Sequence, residues 1–327
     1  MIWNGRFSFM KKLVALTLAV LISLTVMSAA FADVYEDAGF LKKIPLTKKY
    51  KQDVEQKGTV EKIVYTTRSY ALEALNPEKE IITEKELYVY VPYGYDGSEP
   101  YNVLYLMHGG GENEGYWLIN DPTGTNTVLM LDNIFFQGDV APTIIVTPTT
   151  NIGEVQGEEE LETKGADGCS WYWKELRETV IPLIETRYAT FAQGDVSEEN
   201  LIATRDHRAF AGFSMGSITT FSVTMHDVDI IAYFGNYSGA KTDAKEFAAA
   251  LTSESFRDYP ILFWYNGNGD GDMAHDEHQQ FFQDVLSLMP ERYTDGVNCC
   301  WIDFKGGAHA YTCWQVDLFN CLRVFFK

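Results

Sequence analysis

The chain has 327 residues, 46% of them apolar and 22% charged. That balance describes a folded globular protein with a large core and excludes wholesale disorder. Acidic residues outnumber basic ones by 46 to 26, for a formal charge of −20, which argues against nucleic acid or an anionic membrane surface as a partner.

At the N-terminus, Lys11 and Lys12 precede an apolar run from Leu13 to Val26, and small residues then lead to Ala30-Phe31-Ala32. A basic start, an apolar stretch and an A-x-A site are the parts of a secretory signal peptide, with the cut expected after Ala32. The run is about 14 residues, against roughly 20 for a helix that crosses the hydrocarbon core. Residues 1–32 are therefore read as a signal peptide and the protein as secreted, with no stable membrane association after cleavage. The removed part carries Arg6, Lys11 and Lys12 and no acid, so the remaining chain is more acidic still. Residues 33–58 are polar and charged and read as an N-terminal arm. Residues 59–327 read as one domain.

Within that domain, strands and helices alternate. Val60–Thr67 and Leu87–Val91 show strand periodicity. Val103–Met107 is a short apolar run ending at His108-Gly109-Gly110-Gly111, and Thr143–Thr147 is another. Asn151–Gly168 is rich in Gly and Glu and reads as a long loop. Trp173–Tyr188 has apolar residues at helical spacing. Arg208–Phe213 is a predicted strand and Met215–Met225 a helix. Ile230–Phe234, Pro260–Tyr265 and Cys300–Phe304 are predicted strands, and His275–Leu288 and Trp314–Phe326 predicted helices. Such alternation implies an α/β fold: a mostly parallel sheet with helices on both faces. No helix separates the first strands, so that edge is expected to be antiparallel.

The five cysteines are Cys169, Cys299, Cys300, Cys313 and Cys321. Export permits disulfides, but the number is odd, and adjacent Cys299 and Cys300 would face opposite sides of a strand. No C-x-x-C pair exists, which removes zinc-ribbon and thioredoxin readings.

Gly212-Phe213-Ser214-Met215-Gly216 fits G-x-S-x-G between a predicted strand and a predicted helix, the context in which such a serine acts as a nucleophile. An acyl-transfer site also needs two donors for the tetrahedral oxygen. The Met215 N–H beside the serine and the Gly110 N–H of the glycine loop are the candidates. His108 is read as a loop-bracing residue. Of the histidines after Ser214, His226 closes the helix at its far end, and His275 and His278 begin another. His309 lies in Gly306-Gly307-Ala308-His309-Ala310, a loop after a strand, where sheet enzymes place reactive groups. It is the expected base. The acid is expected after the strand Pro260–Tyr265, where Asp270 and Asp272 are both candidates and Asp276 a distant third. Asn266, Asn268, Asp270, Gly271 and Glu277 also match the spacing of a calcium loop, although a strand rather than a helix precedes them. His275 and His278 have no further ligands in evidence, and no metal or organic cofactor is required.

These residues resemble the esterase D-like, feruloyl-esterase-like branch of the α/β-hydrolases, which includes carbohydrate esterase family 1, S-formylglutathione hydrolase and the mycolyltransferases. The resemblance rests on Tyr90-Val91-Pro92, on Val103 through Gly109, on Arg208 through Gly216, and on Gly307-Ala308-His309 with Trp314 five residues later. It implies an α/β-hydrolase fold from about Tyr65 onward. Laid on the family's Gly-Thr-x-Asp acid loop, Asn266–Asp270 makes Asp270 the acid, with Asp272 in reserve. The chain departs from the family in having Ser217 after Gly216, and three glycines directly after His108. The resemblance, with export, implies an esterase acting on ester-decorated polysaccharide, with feruloyl or acetyl groups on xylan the leading substrates. Trp117, Trp171, Trp173 and Trp314 are candidates to stack on a phenolic ring or sugar, with Trp314 placed near His309 by the resemblance. The competing readings are a non-catalytic carbohydrate-binding or cell-surface protein on the same scaffold, and an acyltransferase or peptidase of the same fold.

Overall fold

The computed structural model describes residues 34–120, 127–155, 157, 161–240 and 242–327. The signal segment with its cut after Ala32, and the Glu158-Glu159-Glu160 run, lie outside the described residues.

Among the described residues nine strands form one sheet: β1 (Thr59–Arg68), β2 (Ile82–Val91), β3 (Asn102–Met107), β4 (Thr143–Thr147), β5 (Glu154–Val155), β6 (Arg208–Phe213), β7 (Tyr233–Tyr237), β8 (Phe263–Gly269) and β9 (Cys299–Phe304). Their order is β1-β2-β4-β3-β6-β7-β8-β9, with β5 added to β2. From β4 to β9 every pairing is parallel, whereas β1 and β2 pair antiparallel and β2 meets β4 antiparallel. The connection from β1 to β2, residues 69–81, holds a single helical turn, Tyr70–Glu73, where the sequence leads us to expect no helix, and the two strands pair directly along their whole length, from Thr59↔Val91 to Arg68↔Ile82.

Period-2 alternation divides the strands between two cores. Val103, Tyr105 and Met107 of β3 face one core, with helix residues Leu176, Ile181, Phe221 and Phe282. Leu104 and Leu106 face the other, with Met130, Ile134, Leu318 and Phe319. The helices that cover the sheet are α1 (Thr127–Phe136), α2 (Gly168–Glu175), α3 (Met215–Asp227), α4 (Ala244–Leu251), α5 (His275–Leu288) and α6 (Tyr311–Leu322). α2 continues through one π turn, Leu176–Val180, into Ile181–Arg187. Among the described residues no helix is long and apolar enough to cross a membrane. All five cysteines are buried and none forms a disulfide. Cys299 joins one core and Cys300 the other, as neighbours on a strand must.

Two strands lie further along the chain than their apolar runs predict. Ile230 and Ile231 turn the chain, both amides donating to Asp227 O, so β7 begins at Tyr233. β8 continues through Asn266-Gly267-Asn268-Gly269, which reads as a turn but pairs with β9 from Asn266↔Trp301 to Gly269↔Phe304. The glycine at 267 serves close approach: a Cβ there would lie 1.8 Å from Asp317 Oδ1.

The stretch before β1 packs on the sheet's second face. Ala38, Phe40, Leu46 and Tyr50 are buried in that core. Asn320 of α6 grips Leu41 at both ends, its Oδ1 accepting from Leu41 N at 2.8 Å and its Nδ2 donating to Leu41 O at 2.9 Å. The Phe40 ring meets Tyr265 edge-on at 6.0 Å. Phe40→Ala is expected to cost about 3 kcal/mol, the usual loss for a truncated buried ring, measured by urea denaturation. No change would mean that the arm is not held in solution.

Candidate active site

At the C-terminal end of β6 the chain turns sharply into α3. Ser214 sits at this turn with φ 54 and ψ −119, a conformation that side chains rarely adopt. The turn is possible because its flanks are bare. A Cβ on Gly216 would lie 2.5 Å from His108 O, and one on Gly212 would lie 2.7 Å from the Gly216 backbone. The Ser214 N–H is tied to Tyr237 O at 2.9 Å. Ser217, the departure from the family pattern, donates its hydroxyl to Gly239 O at 2.6 Å, and Asn236 Nδ2 donates to Ser217 O at 3.0 Å. The hydroxyl therefore stitches the turn to the end of β7.

The structure brings Ser214 and His309 together: His309 Nε2 lies 3.0 Å from Ser214 Oγ. On the other side of the ring, Nδ1 lies 2.9 and 3.0 Å from the two oxygens of Asp272. A carboxylate only accepts, so Nδ1 carries the proton and Nε2 is left as the acceptor facing Ser214. The Asp272 side chain is fully buried and the His309 side chain 21% exposed. Burial pushes the Asp272 carboxyl up, but donation from His309, the Ala274 N–H and Ser238 outweighs it and holds the group below its ordinary value. The carboxylate stays ionised where it meets the ring.

Asp270 does not occupy that place. Because β8 runs to Gly269, Asp270 is the first residue beyond the strand, and its carboxylate accepts the Gly306 N–H at 2.7 Å. It braces the loop that carries His309, and Asp272 is the carboxylate that reaches the imidazole. Asp276 pairs with His275 instead, at 2.9 Å. The calcium-loop spacing also dissolves, because Asn266 and Asn268 are buried inside β8. Among the described residues no group of three or more His, Cys, Asp and Glu side chains is placed to hold a metal ion.

The glycine loop after β3 faces the turn. A Cβ on Gly110 would lie 2.8 Å from Met215 Cγ, so the two candidate oxyanion donors are neighbours. Met215 opens α3, where first-turn amides lack intrahelical acceptors and the helix dipole favours negative charge. His108 is buried beneath the loop, with Nδ1 donating to Gly109 O and Nε2 accepting from the Thr149 hydroxyl, both at 2.7 Å. Sequence reasoning missed Glu112, whose Oε2 accepts the Gly109 N–H at 2.9 Å and whose carboxyl is raised by burial. It also missed Thr149 and Ser238. None of the three belongs to a motif, and only their neighbours in space give them a role.

Of the four candidate tryptophans, Trp117 and Trp314 are buried, whereas Trp171 and Trp173 are half-buried. Trp117 is 1% exposed, donates to Met107 O at 3.2 Å and packs edge-on against Phe213 at 5.2 Å. Trp314 is 5% exposed and stacks on Phe213 at 3.9 Å. Both, expected to stack on substrate, pack into the core in this structure instead. Trp173 stacks on His226 at 4.4 Å, and Lys174 lies over the rings of Trp171 and Trp173.

The sequence profile of an esterase family, described as "putative esterase", matches residues 79–325. The chain belongs to this esterase family. It is 36% identical over 254 residues to an endo-1,4-beta-xylanase Y of Acetivibrio thermocellus, covering 74% of this chain and 22% of that protein. It is 32% identical over 252 residues to an endo-1,4-beta-xylanase/feruloyl esterase of Xylanibacter ruminicola, covering 73% and 29%. The esterase chain thus spans about a quarter of the length of these curated relatives. Among solved structures it resembles the feruloyl esterase module from Clostridium thermocellum complexed with sinapinate, with TM-score 0.73 and 29% identity over 88% of this chain and 94% of the other. A ferulic acid esterase from Anaeromyces mucronatus shares the fold at TM-score 0.62 and 20% identity, over 86% and 96%. The sheet order, with its antiparallel edge and helices on both faces, is the α/β-hydrolase fold of these neighbours.

Two buried histidines of this esterase tie its stability to pH. Burial lowers His108 from 6.5 to about 4 and His278 to about 3. Between those values and 6.5 the unfolded chain takes up protons that the native state refuses, so stability falls as pH drops through this window. His108 alone contributes about 3 kcal/mol to that loss. Thermal melts from pH 7.5 to 4 check it; a flat profile would contradict neutral buried imidazoles.

Proposed function

We propose that this chain is an exported serine carboxylic-ester hydrolase that removes feruloyl, or failing that acetyl, groups from xylan. The observation that carries the reading is the line Asp272–His309–Ser214, with the serine held at a strained strand-to-helix turn. Family membership and the likeness to feruloyl esterases support the reaction class and the substrate. Export rests on residues 11–32 alone.

In this reading Ser214 Oγ attacks the ester carbonyl carbon as its proton passes to His309 Nε2. The Gly110 and Met215 N–H groups receive the tetrahedral oxygen. Asp272 keeps the ring in the productive tautomer and stabilises the imidazolium. The tetrahedral species collapses, His309 returns the proton to the leaving sugar hydroxyl, and an acyl-Ser214 ester remains. Water, deprotonated by the same Nε2, then releases the acid and restores the serine. Each step uses only groups of this chain and water.

Ser214→Ala is expected to lower turnover of methyl ferulate by about 10⁶, and to abolish labelling by a fluorophosphonate. Normal activity in that variant would end the proposal. Asp272→Asn is expected to lower kcat by about 10⁴, while Asp270→Asn, which keeps an oxygen for Gly306, changes it less than about threefold. The reverse ranking would return the acid to Asp270. A panel of feruloylated xylan fragments, acetylated xylan fragments and a peptide amide decides the acyl group: preference for acetyl esters would replace the feruloyl assignment, and cleavage of the amide alone would make the chain a peptidase.

A further inference from the structure

The second oxyanion donor, Gly110, is held by groups that take no part in the reaction just described. Gly109 is buried and Gly110 exposed, so the peptide between them crosses from the core to the surface. That peptide is trans, and its C=O and N–H point in opposite directions. From beneath the loop, His108 Nδ1 donates to Gly109 O at 2.7 Å. The Gly110 N–H therefore points away from the buried imidazole, and among the described residues no acceptor meets it. The imidazole is itself fixed. Thr149 Oγ1 accepts the Asn151 N–H at 3.1 Å and turns its own proton to His108 Nε2 at 2.7 Å, which leaves Nδ1 as the donor. Thr149 O accepts from Lys85 Nζ at 2.7 Å, a buried ammonium paired with Glu175 at 2.7 Å.

The other polar group of Gly109 is taken by Glu112. Gly111, at φ 77, folds the chain back, and Glu112 Oε2 accepts the Gly109 N–H at 2.9 Å. Glu112 O accepts from Asn151 Nδ2 at 2.9 Å, so Asn151 anchors both arms. A Cβ on Gly109 would lie 2.5 Å from the Phe213 ring and 3.1 Å from Glu112 Oε2. Glycine turns freely unless it is held. A donor built on three successive glycines needs outside bonds to keep its direction, and Gly109 has neither a free polar group nor room to rotate.

We propose that Glu112 and Thr149 are positioning residues. Glu112 acts on the Gly109 N–H, and Thr149 acts through His108 on the Gly109 C=O. Together they hold the Gly109–Gly110 peptide in the orientation that offers the Gly110 N–H to the tetrahedral oxygen. The proposal rests on the serine-hydrolase reading above and adds to it the groups that keep a glycine-rich donor rigid.

The test compares wild type with Glu112→Ala, Glu112→Gln and Thr149→Val on methyl ferulate and on its thionoester, in which sulfur replaces the carbonyl oxygen. Glu112→Ala is expected to lower kcat on the ester roughly tenfold with KM held, a part of the about 10²–10³ that one whole oxyanion donor is worth. Sulfur accepts hydrogen bonds weakly, so the thionoester draws little on the Gly110 donor and loses less. The ester-to-thionoester ratio of kcat/KM is therefore expected to fall roughly fivefold. A merely structural loss would lower both rates alike and leave the ratio where it was. Glu112→Gln keeps an oxygen for the Gly109 N–H and is expected to recover most of the loss. Thr149→Val releases the His108 tautomer and is expected to move kcat and the ratio the same way by roughly threefold, which carries the test if Glu112→Ala does not fold. An unmoved ratio in the folded variants, or full activity in Glu112→Ala, would overturn the clamp. Failure of the wild-type protein to label with a fluorophosphonate would instead overturn the hydrolase reading beneath it.

Discussion

The backbone compression at Ser214 is the constraint on which the rest of the site depends. β6 must end, reverse and become α3 within one residue, and that residue must carry a side chain at positive φ. The turn is tolerable only because Gly212 and Gly216 leave room where any Cβ would collide with backbone. It is held by bonds to β7, through the Ser214 amide and the Ser217 hydroxyl. Parallel pairing of β3, β6 and β7 then sets the glycine loop on one side and the Ser238 turn on the other. A relaxed turn would lower the hydroxyl into the sheet and separate it from His309.

Beneath this turn lies a buried polar layer whose charges are largely suppressed. His108 and His278 are kept neutral by burial, and burial drives the Asp317 carboxyl far above its usual range. Asp272 is the exception: its charge is retained by three kinds of donor. Burial is the largest cause of the rise at Asp317, and the charge on Asp272 adds to it. Asp317 has the Tyr265 hydroxyl as its hydrogen-bond donor, at 2.9 Å, and takes the neutral form. The site thus holds one fixed negative charge behind the imidazole, although the chain as a whole is strongly acidic.

Three buried aromatic residues, Trp117, Phe213 and Trp314, pack behind the site. Phe213, immediately before the serine, is clamped between Trp117 and Trp314. That packing fixes the strand end from which the serine projects, and it orients the indole N–H that meets Ser238. A high aromatic content was compatible with stacking on sugars or phenols, yet here most of that surface is consumed by the two cores.

The amino-acid sequence by itself determined the alternation of strands and helices, the antiparallel edge, and the pairing of Ser214 with His309. Those features are written in periodicities and short motifs, which depend on neighbours within a few positions along the chain. It left the carboxylate open between Asp270 and Asp272, and the resemblance favoured the one that lies against Gly306 rather than His309, because Asn-Gly-Asn-Gly reads locally as a turn. Only pairing with β9 shows these residues to be strand, and each residue added to a strand moves where the following loop begins. Whether Trp117 and Trp314 face a ligand or the core was likewise settled in three dimensions, as were the roles of Glu112, Thr149 and Ser238. Burial and hydrogen-bond partners at such positions are set by elements far away in the chain, and no local pattern encodes them.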